Sequence, residues 1–296
     1  MAYNNRDDIL KAIRNKKVEG LNLSGADLTR ADLSNANLFD TDLSGADLVG
    51  TNLTGSDLTG ANLSNADLTR ADLTGARLWH ADLTGAKLVE SNLSGVDFWQ
   101  AKLPGARLWR ADLTGAKALT KQNFMFKKNR IKSSCSIYEV GHIAAEETYR
   151  TLKRYFISEG RYNDASWASF KEKKMETAIL RKNREITYIP VALMGILCGY
   201  GEKPQRIISS SFLIIFAYAI LYNLLNLARQ SIANEHVLNF GDYIYFSVVT
   251  FTTLGYGDIV PRFSTFYRLL AVSEAFLGAF MMGLFIFTLA RKYSAR

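Results

Sequence analysis

Leucine recurs every five residues from Leu23 to Leu113, nineteen positions interrupted only by Phe98. From Leu28 on, a small side chain stands two residues before nearly every one, most often alanine, as at Ala26, Ala31, Ala36 and Ala46. A period of five suits neither regular structure. On a helix it spreads the leucines around the axis, and on a straight strand the odd spacing sends alternate leucines to opposite faces. One interior can hold them all only if the chain turns a corner about every five residues. Four such sides close a square coil, and stacked coils pair their backbones at about 4.8 Å. Nineteen units then give between four and five coils, on the order of 23 Å tall.

Leu23, Leu33, Leu43 and so on are each followed by Ser or Thr and then usually by Gly or Asn, as at Gly25, Asn35, Gly45, Gly55, Asn65 and Gly75. These residues tolerate the positive φ of a tight corner. After the alternate leucines the next two positions vary freely. At twenty residues per coil, Phe39, Thr59, Trp79 and Trp99 stack on one outer face, and Val49, Thr69, Val89 and Trp109 on the opposite one. The aromatic positions Phe39, Trp79, Trp99 and Trp109 are candidate contact sites. The pattern resembles the pentapeptide repeat family. That resemblance implies a right-handed quadrilateral β-helix over residues 18–120, with the leucine and the small residue inside. Some family members mimic duplex DNA with an acidic surface. Here 12 acids face 8 bases between Leu21 and Thr120, too weak a field for mimicry, and no nucleic acid is expected as a partner.

The chain of 296 residues carries a net charge of +8, unevenly placed. Between Lys121 and Glu185 stand 15 Lys/Arg against 8 Asp/Glu. Apolar runs follow directly, which points to an anionic membrane face. Residues 1–17 lack a basic-then-apolar secretory pattern, so this lead-in is expected in the cytoplasm. Cys135 and Cys198 are too few for a disulfide framework and are expected as reduced, inert thiols. His80, His142 and His236 are lone residues with no metal or nucleophile spacing around them. Neither an enzyme nor a cofactor is expected. Within 121–185, a basic linker leads to two helices, from about Val140 to Glu159 and onward to about Arg184, with the Gly160 turn between them. This helical pair is expected as a spacer rather than a gating lever. Residues 186–206 are apolar for too short a run to span, and are expected along the inner interface. Gly199-Tyr200-Gly201 is read as a turn.

Residues 207–292 form the membrane part. Ile207–Leu227 is 21 residues without a charge, and Leu269–Ala290 is 22 with Glu274 alone. Each is long enough to cross a bilayer core. Basic residues flank the outer ends of this pair, which places both termini in the cytoplasm by the positive-inside rule. The sequence between them, FGDYIYFSVVTFTT at 240–253 followed by LGYGD, is too apolar for water and too short to span. It fits a half-depth pore helix over 240–252 that returns as extended backbone over 253–258. Gly255 and Gly257 can then aim successive carbonyls at one axis, and the carbonyls of Thr253, Leu254, Gly255 and Tyr256 with the Thr253 hydroxyl can replace a cation's hydration shell.

TTLGYGD between two spans resembles the pore of two-transmembrane potassium channels, with Leu254 where valine or isoleucine is commoner. The resemblance implies a selectivity filter at Thr253, Leu254, Gly255, Tyr256 and Gly257, with Asp258 bracing the outer mouth. It also implies Tyr245 and Phe246 packed around the filter tyrosine, and a gating hinge at Gly278. It further implies a homotetramer in the bilayer, passing K+ as a permeant ion in a bacterial-type inner or plasma membrane. Glu274 needs protein or water around it at membrane depth. Two roles fit: a hydrogen bond to the back of a neighbouring subunit's half-helix, which is favoured, or a cation site in the cavity. The alternative function is a membrane-anchored binding scaffold, the β-helix holding an unidentified cytoplasmic protein or ligand above a silent or weakly selective pore.

Overall fold

The computed structural model describes residues 21–125, 142–230 and 238–294, together with Lys11. The lead-in, Cys135, His236 and most of the basic linker lie outside the described residues. The chain divides into two compact units, Met1–Glu185 and Ile186–Arg296.

In the first unit the period of five becomes a coil of twenty. Parallel bridges join residues twenty apart in unbroken series, from Asn22↔Asp42 through Asp57↔Arg77 to Asp97↔Lys117. Each side ends in a four-residue turn in which the amide two residues before the next leucine donates to the preceding leucine's carbonyl, as from Ala26 to Leu23 and Ala31 to Leu28, both 3.1 Å. The leucines fill the interior of this β-helix, most with no exposed surface. Leu23 and Gly25 donate up to the next coil at Asp42 and Ser44 over 2.7 and 2.9 Å. An acid or amide just before most leucines serves the corner too: Asp67 Oδ1 accepts from the Thr69 amide and hydroxyl at 3.1 and 2.6 Å.

The corners correct one expectation. The alternate corners, where residue type varies freely, hold the same left-handed backbone as the glycine corners: Arg30 φ 53°, Asp40 φ 52°, Arg70 φ 59°, His80 φ 59° and Gln100 φ 56° beside Gly25 φ 67° and Gly75 φ 66°. Each costs a side-chain-bearing residue about 1–2 kcal/mol. The coil-to-coil amide bonds on both sides fix the corner regardless. Outside, some carboxylates pair with a base one coil further on, with Asp57–Arg77 and Asp67–Lys87 at 2.8 Å. Burial would raise the Asp67 carboxyl, but the bonds from Lys87 and Thr69 hold it below its ordinary range.

The helical pair does not stand apart from the repeat. Helices α1, His142–Ser158, and α2, Tyr162–Lys182, belong to the same unit as the repeat and cover its last coil. An open coil end presents unpaired amides and carbonyls, the liability of any sheet edge. Here side chains satisfy them. Thr148 Oγ1 accepts from the Leu108 amide at 3.1 Å, the Tyr155 hydroxyl donates to the Ala116 carbonyl at 2.7 Å, and Arg161 donates to the Leu119 carbonyl. Just before the pair, Asn123 donates to the carbonyls of Phe98 and Ala101 at 3.1 and 2.8 Å. Leu152 and Phe156, fully buried, extend the leucine core. Glu172 ties the two helices together through Arg150 and Lys153 at 3.1 and 3.2 Å.

The second unit begins with α3, Tyr188–Cys198, an apolar helix of 11 residues. It ends in the turn Gly199-Tyr200-Gly201, all three at positive φ. Cys198 is buried there, its Sγ accepting from the Gly201 amide at 3.2 Å. Then follow α4, Pro204–Leu224, the strand β1, Ala228–Gln230, the helix α5, Phe240–Phe251, the strand β2, Ile259–Pro261, and α6, Thr265–Ser294. Proline at the first position of α4 suits a helix start, since its missing N–H needs no partner. Pro204–Leu224 and Thr265–Ala290 are long and apolar enough to cross a membrane.

The capping role of α1 is open to measurement. Leu152→Ala should cost about 2–5 kcal/mol and lower the melting temperature of the β-rich circular dichroism signal in the full chain. Ile143→Ala on the same helix, at a side chain 69% exposed, should leave it within error. Equal melting of both variants would remove α1 from the folding unit.

Candidate functional site

The TTLGYGD segment hangs between two anchors. Its first is the end of α5. Asn239 and Asp242 start that helix with a reciprocal capping box. At the other end the Leu254 amide donates to the Val249 carbonyl at 3.0 Å and the Thr253 amide to Thr250 at 3.1 Å. That bond pair is a Schellman motif, whose second residue past the helix must be left-handed. Thr253 occupies that place with φ 57°. The second anchor is the antiparallel pairing of β1 and β2, with Arg229 opposite Val260. The Asn226 side chain holds it, accepting from the Tyr243 hydroxyl at 2.9 Å and from Arg262 at 3.1 Å.

Between the anchors the backbone alternates. Thr253, Gly255 and Gly257 have φ 57°, 58° and 76°, while Leu254 and Tyr256 keep negative φ. In a strand, successive carbonyls point to opposite sides. The alternating sign of φ departs from that pattern along the whole segment. Residues 252–258 are all exposed in the single chain, Tyr256 by 69%. The Thr253 hydroxyl donates to the Thr252 carbonyl at 2.7 Å, which leaves its lone pairs available.

Glu274 is fully buried and lies at the meeting of three helices. Its carboxylate accepts from the Tyr222 hydroxyl of α4 at 2.5 Å and from the Ser247 hydroxyl of α5. The Ser247 oxygen also lies 2.9 Å from the Ile215 carbonyl. The expected partner was a neighbouring subunit's half-helix; the partner found is α5 of the same chain. Neither Tyr222 nor Ser247 stood out in the sequence, since only their position opposite a buried carboxylate marks them.

Phe246 also differs from expectation. It is buried against Tyr222, ring centroids 5.1 Å apart, and not around Tyr256. Tyr245 lies within electrostatic reach of the Asp258 carboxylate in the TTLGYGD segment. Gly278 sits one turn below Glu274, and a Cβ there would overlap the Phe251 carbonyl oxygen. α6 runs through it as continuous helix, so the geometry demands close approach there rather than a bend. Met281 is buried on this stripe, whereas Met282 faces outward. In the other unit Trp79 and Trp99 stack edge to face at 5.8 Å, whereas Trp109 lies under the Arg110 guanidinium on the opposite face. Phe39 is half-buried and two coils from Trp79.

These features define a membrane protein in which a capped repeat β-helix precedes two long apolar helices packed around a short helix and its exposed tail. Residues 207–295 match the family model described as an ion channel, and residues 19–55, 51–88 and 91–118 match that of pentapeptide repeats in 8 copies. Over 92 residues the chain is 34% identical to two pore potassium channel b of Oryza sativa subsp. japonica, covering 31% of this chain and 25% of that one. Over 57 residues it is 42% identical to two-pore potassium channel 1 of Arabidopsis thaliana, covering 19% and 15%. The chain thus spans a quarter or less of the length of these relatives. Among solved structures, a pentapeptide repeat protein from the Arabidopsis thaliana thylakoid lumen is 30% identical, covering 36% of this chain and 73% of that one, with a TM-score of 0.35.

The Glu274 cluster predicts a graded response in detergent-solubilised protein. Glu274→Ala strands two buried hydroxyls, each costing about 1–3 kcal/mol, and should melt well below Glu274→Gln, which keeps an acceptor. Ser247→Ala should be non-additive with Glu274→Gln by about 0.5–3 kcal/mol. Additive losses would mean that the two side chains do not act together.

Proposed function

We propose that this chain is the subunit of a potassium-selective channel, passing K+ passively down its gradient with no covalent chemistry and no cofactor. The observation that carries this reading is the alternating backbone of Thr253, Leu254, Gly255, Tyr256 and Gly257, exposed along its whole length in the single chain. At membrane depth such backbone survives only if protein or a water-filled path covers it. One chain supplies one strip of carbonyls, so identical copies around an axis complete the ring. Four copies, with α5 re-entering the membrane from outside over 240–252, give a filter in which main-chain oxygens replace the water shell of K+.

On this reading the C-terminal end of α5 directs its partial negative charge at the ion path. Glu274 braces α5 from behind, Tyr245 and Asp258 steady the outer mouth, and Gly278 lets α6 lie close enough to hold Phe251. Any bending at Gly278 during gating would have to separate α6 from α5. The repeat closes as a right-handed quadrilateral β-helix and lies with both termini in the cytoplasm of a bacterial-type inner membrane. There it serves assembly or regulation. The names of the plant relatives support the choice of K+ as permeant ion.

Purified protein in liposomes, with K+ on one side and Na+ on the other, should give a reversal potential set by K+. Gly255→Ala should abolish the current, because its φ of 58° is costly for any side chain; nothing within 4 Å of the new methyl would otherwise oppose it. A membrane-anchored scaffold with a silent pore would leave vesicles tight to K+ with either sequence.

A further inference from the structure

The repeat carries one surface that the ion path does not use. Asp57, Arg77, Asp97 and Lys117 stack on successive coils at the same position, alternating in sign, with Arg77 bonded to Asp57 at 2.8 Å. Beside them runs a corner column of Gly55, Gly75, Gly95 and Gly115, all at positive φ and without side chains. On the other side stand Trp79 and Trp99, 37% and 46% exposed, on the two coils at mid-height of this charge column. Arg77 lies 5.1 Å from the Trp79 ring. A groove of about 320 Å³ runs along Trp79, Asp97, Trp99 and Lys117 and meets a second, of about 220 Å³, beside the glycine column.

Two copies of such a face can meet about a two-fold axis in only two ways. If the axis runs along the coil stack, every residue of the charged column meets its own equivalent, and all four contacts are like-charged. If the axis runs across the stack, between the coils of Arg77 and Asp97, heights are reversed while columns stay aligned. Asp57 then meets Lys117 of the second copy and Arg77 meets its Asp97, so all four contacts are opposite in charge. The same operation sets Trp79 against Trp99 of the second copy at the centre, and glycine against glycine at every level of the corner column. An aromatic centre with a charged surround, repeated by a two-fold axis, is the composition of an isologous interface.

We propose that the Trp79/Trp99 face pairs with the same face of a second copy of this chain, the two β-helices running antiparallel. Charge alternation selects the direction, the tryptophans supply the contact area, and the glycine column allows the backbones to approach. The proposal does not depend on whether the pore conducts.

Cysteine cross-linking of the full-length protein, in a background of Cys135→Ser and Cys198→Ser, tests it. The double variant Asp57→Cys/Lys117→Cys should form a disulfide-linked dimer under mild oxidation. Neither single variant should, because each position lies three coils, about 14 Å, from its own equivalent, beyond disulfide reach. Adding Trp99→Glu, or Arg77→Asp alone, to the double variant should abolish the dimer band. The swap Arg77→Asp/Asp97→Arg, which restores every opposite-charge contact, should return it. Far-UV circular dichroism confirms that each variant keeps its β-helix. Single variants that link as readily as the double, or a folded double variant that yields no dimer, would overturn the antiparallel pairing. Either result would leave the liposome measurement unaffected.

Discussion

Every peptide group taken out of water must find a hydrogen-bond partner, and both halves of this chain are organised around that demand. In the repeat, amides and carbonyls that cannot pair along a strand of five residues pair upward and downward with neighbouring coils. The arrangement stays continuous only if the backbone reverses its handedness at every corner. In the second unit the same reversal, at Thr253, Gly255 and Gly257, serves the opposite end. There it runs through a stretch, residues 252–258, that is exposed in the single chain. One conformational element, the isolated left-handed residue, satisfies the backbone in one domain and exposes it in the other.

What then keeps the exposed segment in place is packing from behind. α5 is only 12 residues long, too short to be stable alone, and it carries the TTLGYGD segment directly on its last turn. Three contacts hold it. Ser247 meets Glu274, Phe246 meets Tyr222, and the Phe251 carbonyl rests on the bare backbone of Gly278. All three lie on one side of the helix, and Glu274 and Gly278 lie one turn apart on α6. A carboxylate is a costly choice at this depth. Two hydroxyl donors from different helices give it a directionality that an apolar contact lacks.

The leucine period was decisive in the sequence because five is incompatible with both helix and strand, so the coil followed from geometry alone. The glycine corners were equally readable, since residue type and backbone agree there. The alternate corners were not: Arg30, His80 and Gln100 give no local sign of a left-handed backbone, which the coil above and below imposes. The helical cap was missed for a related reason. Its evidence lies in side chains such as Thr148 and Tyr155 reaching backbone about 40 residues earlier, and helical periodicity shows only which face is apolar. The TTLGYGD segment stood out because its composition suits membrane depth better than water. Tyr222 and Ser247, 52 and 27 residues from Glu274, were beyond any local pattern.

Thr253 shows how these constraints meet in one residue. The Schellman end of α5 demands a left-handed residue there, a place glycine would fill with less strain by about 1–2 kcal/mol. Threonine is β-branched, the least suited class for positive φ. A conformation held against its preference is over-determined by its surroundings, here by the two amide bonds to Val249 and Thr250. What the side chain adds is a hydroxyl whose proton is already committed to the Thr252 carbonyl, so it can offer only lone pairs to anything beyond. An oxygen restricted to accepting discriminates in favour of a cation and against a hydrogen-bond acceptor. On the proposed reading, that restriction accounts for a strained threonine where a relaxed glycine would satisfy the backbone equally well.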